Sequence, residues 1–441
     1  MYRILEALPA LIGSQMRHPY EGILMMGLSA GEVPVDSGMA GAMFKSVSKT
    51  VQVSVFVFFL SLWAVAAPGP RHVYLTWQGD TSTTMTVVFQ SMSPAKNPVV
   101  YYGKSSATSV TGYANMQKGR PTKFPGLERW VSFVKLTGLE PGETYYFRAG
   151  DSGVGFSKER KFRTMPDTSE EMRFVTGGDM WIEPATHQLL RQSASQSPQF
   201  ALVGGDMAYA DGKLSHVNFW DKWFDAWDEY MVTPSGHSIP MVLAVGNHET
   251  QGGFAGTPAD APYFYNFFKQ DERGYFSRQF GPDIIVYVLD SGHTNPQDGE
   301  QARWLAEEME RTKNVKHRFA MYHVPCYPSY PGAYEEPYSA GGRKHWVPLF
   351  DRYHLRAAFE NHFHTFKRTK LLKGNKVDPE GTLYLGDGCW GRPPRKVKPV
   401  LDWYEEVTAS RRHVWLVDVL GDKVRYRAMD PHGKVFDTYE H

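Results

Sequence analysis

From residue 172 onward, short apolar runs keep ending in the same kind of residue. MRFVTGG is followed by Asp179, FALVGG by Asp206 with Tyr209 three positions on, and PMVLAVG by Asn247 and His248. HRFAMY is followed by His323, and RAAFE leads through Asn361 to His362 and His364. Apolar runs of this length, bounded by glycine, read as buried strands, and DIIVYVLD is one more. The stretches between them are polar and helix-compatible, which is the rhythm of a layered α/β domain. In open α/β sheets ligands bind beyond the carboxyl ends of the strands. Side chains from five runs would then meet along one edge, a coincidence that packing does not explain. Singly these signals are weak, because a Gly-Asp after a strand is usually a turn and a His-x-His is often a surface pair. The ordered set carries the argument.

The chemistry of the set is coherent. Carboxylate, phenolate, amide and imidazole suit hard or borderline cations such as iron, zinc and manganese. One carboxylate can bridge two ions, and two ions about 3.5–4 Å apart clamp an in-line displacement at phosphorus. Phosphoryl transfer asks mainly for positioning and charge neutralisation. His248 follows a candidate ligand and faces the substrate, or else orients that ligand. His345, beside Arg343 and Lys344, is a further candidate for reaching the substrate, against a solvated basic loop. His187, His216, His293 and His317 stand in no motif and read as structural or surface residues.

Ahead of this domain, HVYLTWQ, TMTVVFQ, PVVYYG, WVSFVKL and TYYFRAG are β-branched and aromatic runs set apart by turns. They predict an all-β sandwich over residues 71–165, followed by a linker at Met165-Pro166-Asp167 and a catalytic domain over 170–441. Within the latter, Trp220, Trp223 and Trp227 share one helical face, so they read as core, with Asp221, Asp225 and Asp228 on the solvated side.

The formal net charge is +1 over 441 residues, so no global field draws the chain to nucleic acid. Two cysteines, Cys326 and Cys389, are too few for a disulfide framework or a zinc cage. They form one bridge or stay buried thiols. Val51–Ala67 is an apolar run with Lys45 and Lys49 before it and Ala64-Val65-Ala66 at its end, the layout of a secretory signal peptide cleaved near residue 66. The competing reading is a single membrane anchor. The 50 residues before the run are too many for an ordinary n-region, whereas a start at Met39 or Met43 would give a normal one, so residues 1–38 read as an over-extended start. A cleaved chain would be secreted or extracytoplasmic and would keep no stable membrane partner. The oligomeric state is not legible.

The series GD, GDxxY, GNHE, strand-end His and HxH resembles the metallophosphoesterase superfamily, and Tyr209 narrows the resemblance to the purple acid phosphatases. PRHVYLTWQGD, LTGLEPGETYYFRAGD and FRT are similar to the fibronectin type III-like N-terminal domain of that family. The resemblance implies a two-sheet α/β sandwich flanked by helices, carrying this all-β domain at its N-terminus. It implies that Asp179, Tyr209 and His364 hold Fe(III), that Asp206 bridges, and that Asn247, His323 and His362 hold a divalent Fe, Zn or Mn. It further implies that His248 contacts phosphate and donates a proton, while a metal-bound hydroxide attacks small phosphate monoesters. A phosphodiesterase of the same superfamily and a non-catalytic extracellular binding protein are the alternatives. Three departures stand out. The first motif reads GDM; NHFH has Asn361 where GHxH is usual; and the paired histidines of plant relatives are absent between His323 and His362. Asn tolerates a left-handed backbone, so the turn is expected to survive at Asn361.

Overall fold

The computed structural model describes residues 69–441. The expected leader and the residues before it lie outside the described residues. No helix among the described residues is long and apolar enough to cross a membrane.

The first module is a sandwich of two antiparallel sheets. One pairs Arg71–Thr76, Met85–Ser91, Trp130–Leu136 and Arg120–Lys123 in that order. The other is built on Val99–Gly103 and Thr144–Asp151, with Asn115–Lys118, Gly155–Phe156 and Arg160–Arg163 at their flanks. The short strands Asn115–Lys118 and Arg120–Lys123, one in each sheet, escape the sequence pattern because NMQK and RPTK are polar and largely exposed.

The second module holds two mixed sheets face to face. In one, Met241–Leu243, Phe200–Val203 and Met172–Gly177 run parallel, and Val414–Leu420, Lys423–Met429 and Val435–Glu440 extend them antiparallel. In the other, Ile284–Val288, His317–Met321, Ala357–Phe359 and Leu383–Gly386 run parallel. Phe276–Phe280, Phe366–Thr369 and Glu405–Ala409 complete it. Side chains alternate across a strand, so each strand feeds two cores. Phe174 and Phe200 point between the sheets, where Phe174 meets Phe319 and Phe359 and Phe200 stacks on Phe280. Val175 and Ala201 point outward under helices Pro184–Ser195 and Val217–Tyr230. Tyr287 and Ala320 point outward on the far side, under Gly299–Arg311 and Val347–Arg352. The layers are helix, sheet, sheet, helix, the expected sandwich.

Trp220, Trp223 and Trp227 are buried as expected. Their acidic neighbours are not simply solvated. Asp221 pairs with Arg129 at 2.6 Å, and Asp228 accepts both guanidinium nitrogens of Arg160. Both arginines belong to the first module, so these carboxylates dock it onto the second. Asp225 alone of the three is mainly exposed, although it still meets His72. The partners lie far away in sequence, beyond the reach of a helical-face argument.

Candidate metal centre

All five polar segments emerge from the carboxyl ends of parallel strands, three of them in the first sheet and two in the second. The backbone there is unusual. Asp179, Asp206, Tyr209, His362 and His364 have φ values of 58°, 54°, 58°, 81° and 56°. A left-handed non-glycine residue costs roughly 1–3 kcal/mol and persists where its surroundings over-determine it. Five such residues at one edge mark a site built for side-chain direction rather than for stability. Asn361, where left-handed geometry was expected, is not among them. Its role is steric and polar. Its amide fills space left by two glycines, since a Cβ at Gly204 would lie 1.9 Å from its Nδ2 and one at Gly178 would lie 2.7 Å from its Oδ1. Its Nδ2–H donates to the Tyr322 carbonyl at 2.9 Å. The two histidines take the strain instead.

The candidate ligands gather into two sets. In the first, His364 Nε2 lies 3.0 Å from Asp179 Oδ1, and the Tyr209 hydroxyl lies 3.2 Å from His364 Nε2 and 3.4 Å from Asp179 Oδ1. In the second, His323 Nε2 is 3.0 Å from Asn247 Oδ1, 3.2 Å from His362 Nδ1 and 3.3 Å from Asp206 Oδ1. Asp206, His323 and His362 form a group whose ligand atoms all lie within 4.8 Å of one another.

The second set is what a cation would fit. His323 Nδ1 faces the Gly204 carbonyl at 2.8 Å, a group that only accepts, so this nitrogen carries the proton. On the neutral ring Nε2 is then a bare lone pair, and three other lone pairs converge on it. Burial lowers the affinity of His323 for a second proton, but the Asp206 carboxylate outweighs it and raises the pKa to about 9. That proton occupies the place of a metal ion, which would expel it on binding. Burial would likewise raise the Asp206 pKa, yet the charge of His323 pulls it well below the usual carboxylate range. His362 is driven well below its ordinary value by burial and then by His323, so it keeps a lone pair free. Burial and then the Asp179 carboxylate hold the Tyr209 phenol well above 10, so only a strongly charged cation would ionise it.

His248 stands apart. Its Nδ1–H donates to Asp211 at 2.6 Å, while its Nε2 lies 3.9 Å from Asp206 Oδ2. Its ring packs on Tyr209 with centroids 4.1 Å apart, and its side chain is 36% exposed. It borders the cluster and faces solvent.

Some residues here were not singled out from the sequence. Glu249, the last letter of GNHE, is fully buried and accepts the N–H groups of Asp206, Met207 and Gly246 at 2.7, 2.8 and 2.9 Å. It ties the loop of Asp206 to that of Asn247. Burial and then Asp206 push its pKa up to about 7. The motif itself was the available signal. Arg392 lies over the Tyr209 ring at 4.7 Å, and its N–H donates to the Asp179 carbonyl at 3.1 Å. Nothing in its local sequence marks it. His293 is buried with its ring 5.4 Å from that of His323 and bonded to Gly253 and Ser291, a structural role. Arg343 donates to the Cys326 carbonyl at 2.6 Å rather than facing a substrate, whereas His345 lines a cavity. Cys326 and Cys389 are free and buried, so the bridge is not formed.

A facing pair of mixed sheets with carboxylates and imidazoles at the strand ends defines a calcineurin-like phosphoesterase domain, and the model of that name matches residues 172–366. The purple acid phosphatase N-terminal domain model matches residues 70–164, and the two matches take up well over half of the chain. The chain belongs to the purple acid phosphatase family. It is 26% identical to purple acid phosphatase 15 of Arabidopsis thaliana over 299 residues, 60% of this chain and 55% of that one. It is 26% identical to purple acid phosphatase 23 of the same plant over 370 residues, 74% of this chain and 78% of that one. The chain thus spans little more than half the length of the first of these relatives. In fold it matches a purple acid phosphatase from yellow lupin seeds with a TM-score of 0.70 at 17% identity, covering 85% of this chain and 74% of the other. PhoD matches with a TM-score of 0.63 at 14% identity, covering 86% and 91%.

Proposed function

We propose that this chain is a metal-dependent phosphatase that hydrolyses phosphate monoesters at a binuclear centre. The observation that carries the reading is the pair of donor sets, one with a phenolate donor and one with paired imidazoles. Asp179, Tyr209 and His364 would hold Fe(III), Asn247, His323 and His362 would hold a divalent iron, zinc or manganese, and the Asp206 carboxylate would serve both. The ions supply charge neutralisation at the phosphoryl group and activation of a water. The chain's own residues do the rest. Asp211 fixes the His248 tautomer, so that a proton on Nε2 of the charged ring can pass to the leaving-group oxygen. Glu249 keeps the Asp206 and Asn247 loops in register.

The test is metal content and visible spectrum of the purified protein. We expect two metal ions and a tyrosinate-to-iron charge-transfer band that Tyr209→Phe removes. Two bound irons with no such band would sink the assignment of Tyr209, and no bound metal under any loading condition would favour a binding protein. Export is part of the proposal, motivated by the apolar run ending at Ala64-Val65-Ala66. N-terminal sequencing of exported protein tests it, and a mature chain retaining Val51–Leu62 would mean an anchor.

A further inference from the structure

Beside the cluster lies a cavity of about 420 Å³ that the proposed chemistry does not use. That is the size of a small-molecule site. A short stack of rings joins the two. Phe254 stands edge-on to His362 with centroids 6.1 Å apart, and Tyr338, on the cavity wall, stacks on Phe254 at 4.2 Å and 16°. The wall is held in place. Gly292 has φ +97°, and a Cβ there would come within 2.4 Å of the Tyr338 ring, so glycine is what lets the ring close on the loop. Gln297 donates from Nε2 to the Tyr338 carbonyl at 2.9 Å, and its own carbonyl accepts from Trp346 Nε1 at 3.0 Å.

The lining has a definite polarity. It contains no lysine or arginine. Asn295 spends its amide hydrogens on the Arg273 carbonyl at 2.6 Å and on Asp290 at 3.1 Å, which leaves its oxygen free. Gln297 gives one amide hydrogen to the Tyr338 carbonyl, and its side-chain oxygen accepts no hydrogen bond among the described residues. Asp298 precedes helix Gly299–Arg311 without a side-chain bond to it and has no ion-pair partner among the described residues. Apart from the His345 imidazole, the polar side chains of the cavity thus offer acceptors, beside an aromatic wall. A second phosphate would be repelled, and a short aliphatic alcohol would leave most of the volume empty. A planar ring carrying N–H groups meets both features, by stacking and by donating.

We propose that this cavity is the leaving-group subsite, and that it selects phosphate monoesters whose alcohol ends in a planar, amine-bearing ring, of the kind and size of a nucleoside. The proposal rests on the phosphatase reading above for its place in the reaction, but its binding half stands alone. The first experiment compares adenosine monophosphate with glycerol 2-phosphate on the metal-loaded protein. We expect the nucleotide to have the higher kcat/KM. Tyr338→Ala should lower that preference about tenfold, chiefly through KM, since loss of one stacking ring is worth about that factor. Gln297→Leu, which removes an acceptor, should lower it in the same direction, and it serves should Tyr338→Ala fold poorly. The second experiment is calorimetric titration of adenosine into metal-free protein, where we expect binding that Tyr338→Ala weakens. Equal kcat/KM for the two esters, unmoved by either variant, overturns the subsite. Adenosine binding without turnover of any phosphate ester would instead uphold the subsite and overturn the phosphatase reading.

Discussion

Asp206 and His248 lie within 3.9 Å of each other and are assigned opposite duties. Asp206 is buried, carries a negative charge and lies 3.3 Å from His323 Nε2. Its Oδ1 also accepts the His248 N–H at 2.9 Å. Asp206→Asn keeps this shape and removes the charge that two cations would share. Metal should therefore be lost from both sets together, with hydrolysis of a simple aryl phosphate reduced by orders of magnitude. The His248 N–H that bonds Asp206 belongs to its main chain; its imidazole comes no closer than 3.9 Å to the Asp206 carboxylate and packs its ring on Tyr209. His248→Ala should keep its metal and lose about 10²–10⁴-fold in rate, the usual worth of one positioned proton donor. Metal content and rate measured side by side on the two variants decide it. A His248→Ala protein as metal-poor as Asp206→Asn would place His248 among the ligands.

At the scale of the element, three strand-end segments are tied from beneath by one buried lysine. Lys367, Glu360 and Asp387 have fully buried side chains. Lys367 pairs with Glu360 and, at 2.6 Å, with Asp387. Glu360 also accepts from the Tyr322 hydroxyl at 2.7 Å and the Cys326 N–H at 2.6 Å, on either side of His323. Asp387 accepts from Ser329, and its carbonyl accepts the His364 N–H at 2.9 Å. Lys367→Met would leave two carboxylates buried without their cation. Breaking a buried pair in this way costs about 3–5 kcal/mol. Adding Glu360→Gln should recover part of that, because the remaining Asp387 is pushed up to about 6 by burial and can take a proton. Urea unfolding of the metal-free single and double variants measures both steps, and a double variant no more stable than the single one would refute the account. This network was invisible in the sequence, because its three members come from separate segments that only strand pairing brings together. The proposed ligands were legible because each sits immediately after a strand, where one short motif fixes type and position together. Leu383–Gly386 was not read as a strand, but the other six of the seven parallel strands were legible as short apolar runs. The antiparallel edges were not, since Val414–Leu420 pairs with Met172–Gly177 across more than two hundred residues, and only tertiary contact decides that pairing.

For the molecule as a whole, one continuous core runs from the first module into the second. Trp77 packs edge-on against Phe280, and residues of both sandwiches belong to the same buried cluster. A proton refused by a group buried in such a body is charged to the stability of the packing around that group. His413 is that kind of group. It is 2% exposed, its ring lies against Phe366, and its Nδ1 is 3.2 Å from the Arg411 carbonyl. Burial lowers its pKa to about 4 from 6.5. The sign follows from proton counting. Between those two values the unfolded chain holds a proton that the folded chain does not, so stability rises with pH across that window. The contribution is intact above 6.5, drains as pH falls, and is fully lost below about 4. The slope is about 1.4 kcal/mol per pH unit, so this one residue removes about 3 kcal/mol in all. Replacing it with leucine removes the titrating group. The variant starts from a lower stability at pH 7, having lost a buried hydrogen bond, but its stability should fall less steeply towards pH 4. The measurement is the urea midpoint against pH for both proteins without metal, because acid would otherwise also strip the ligand histidines. Parallel curves for the two proteins would mean that His413 takes up its proton while the protein is still folded, and that the acid sensitivity of the body comes from other groups.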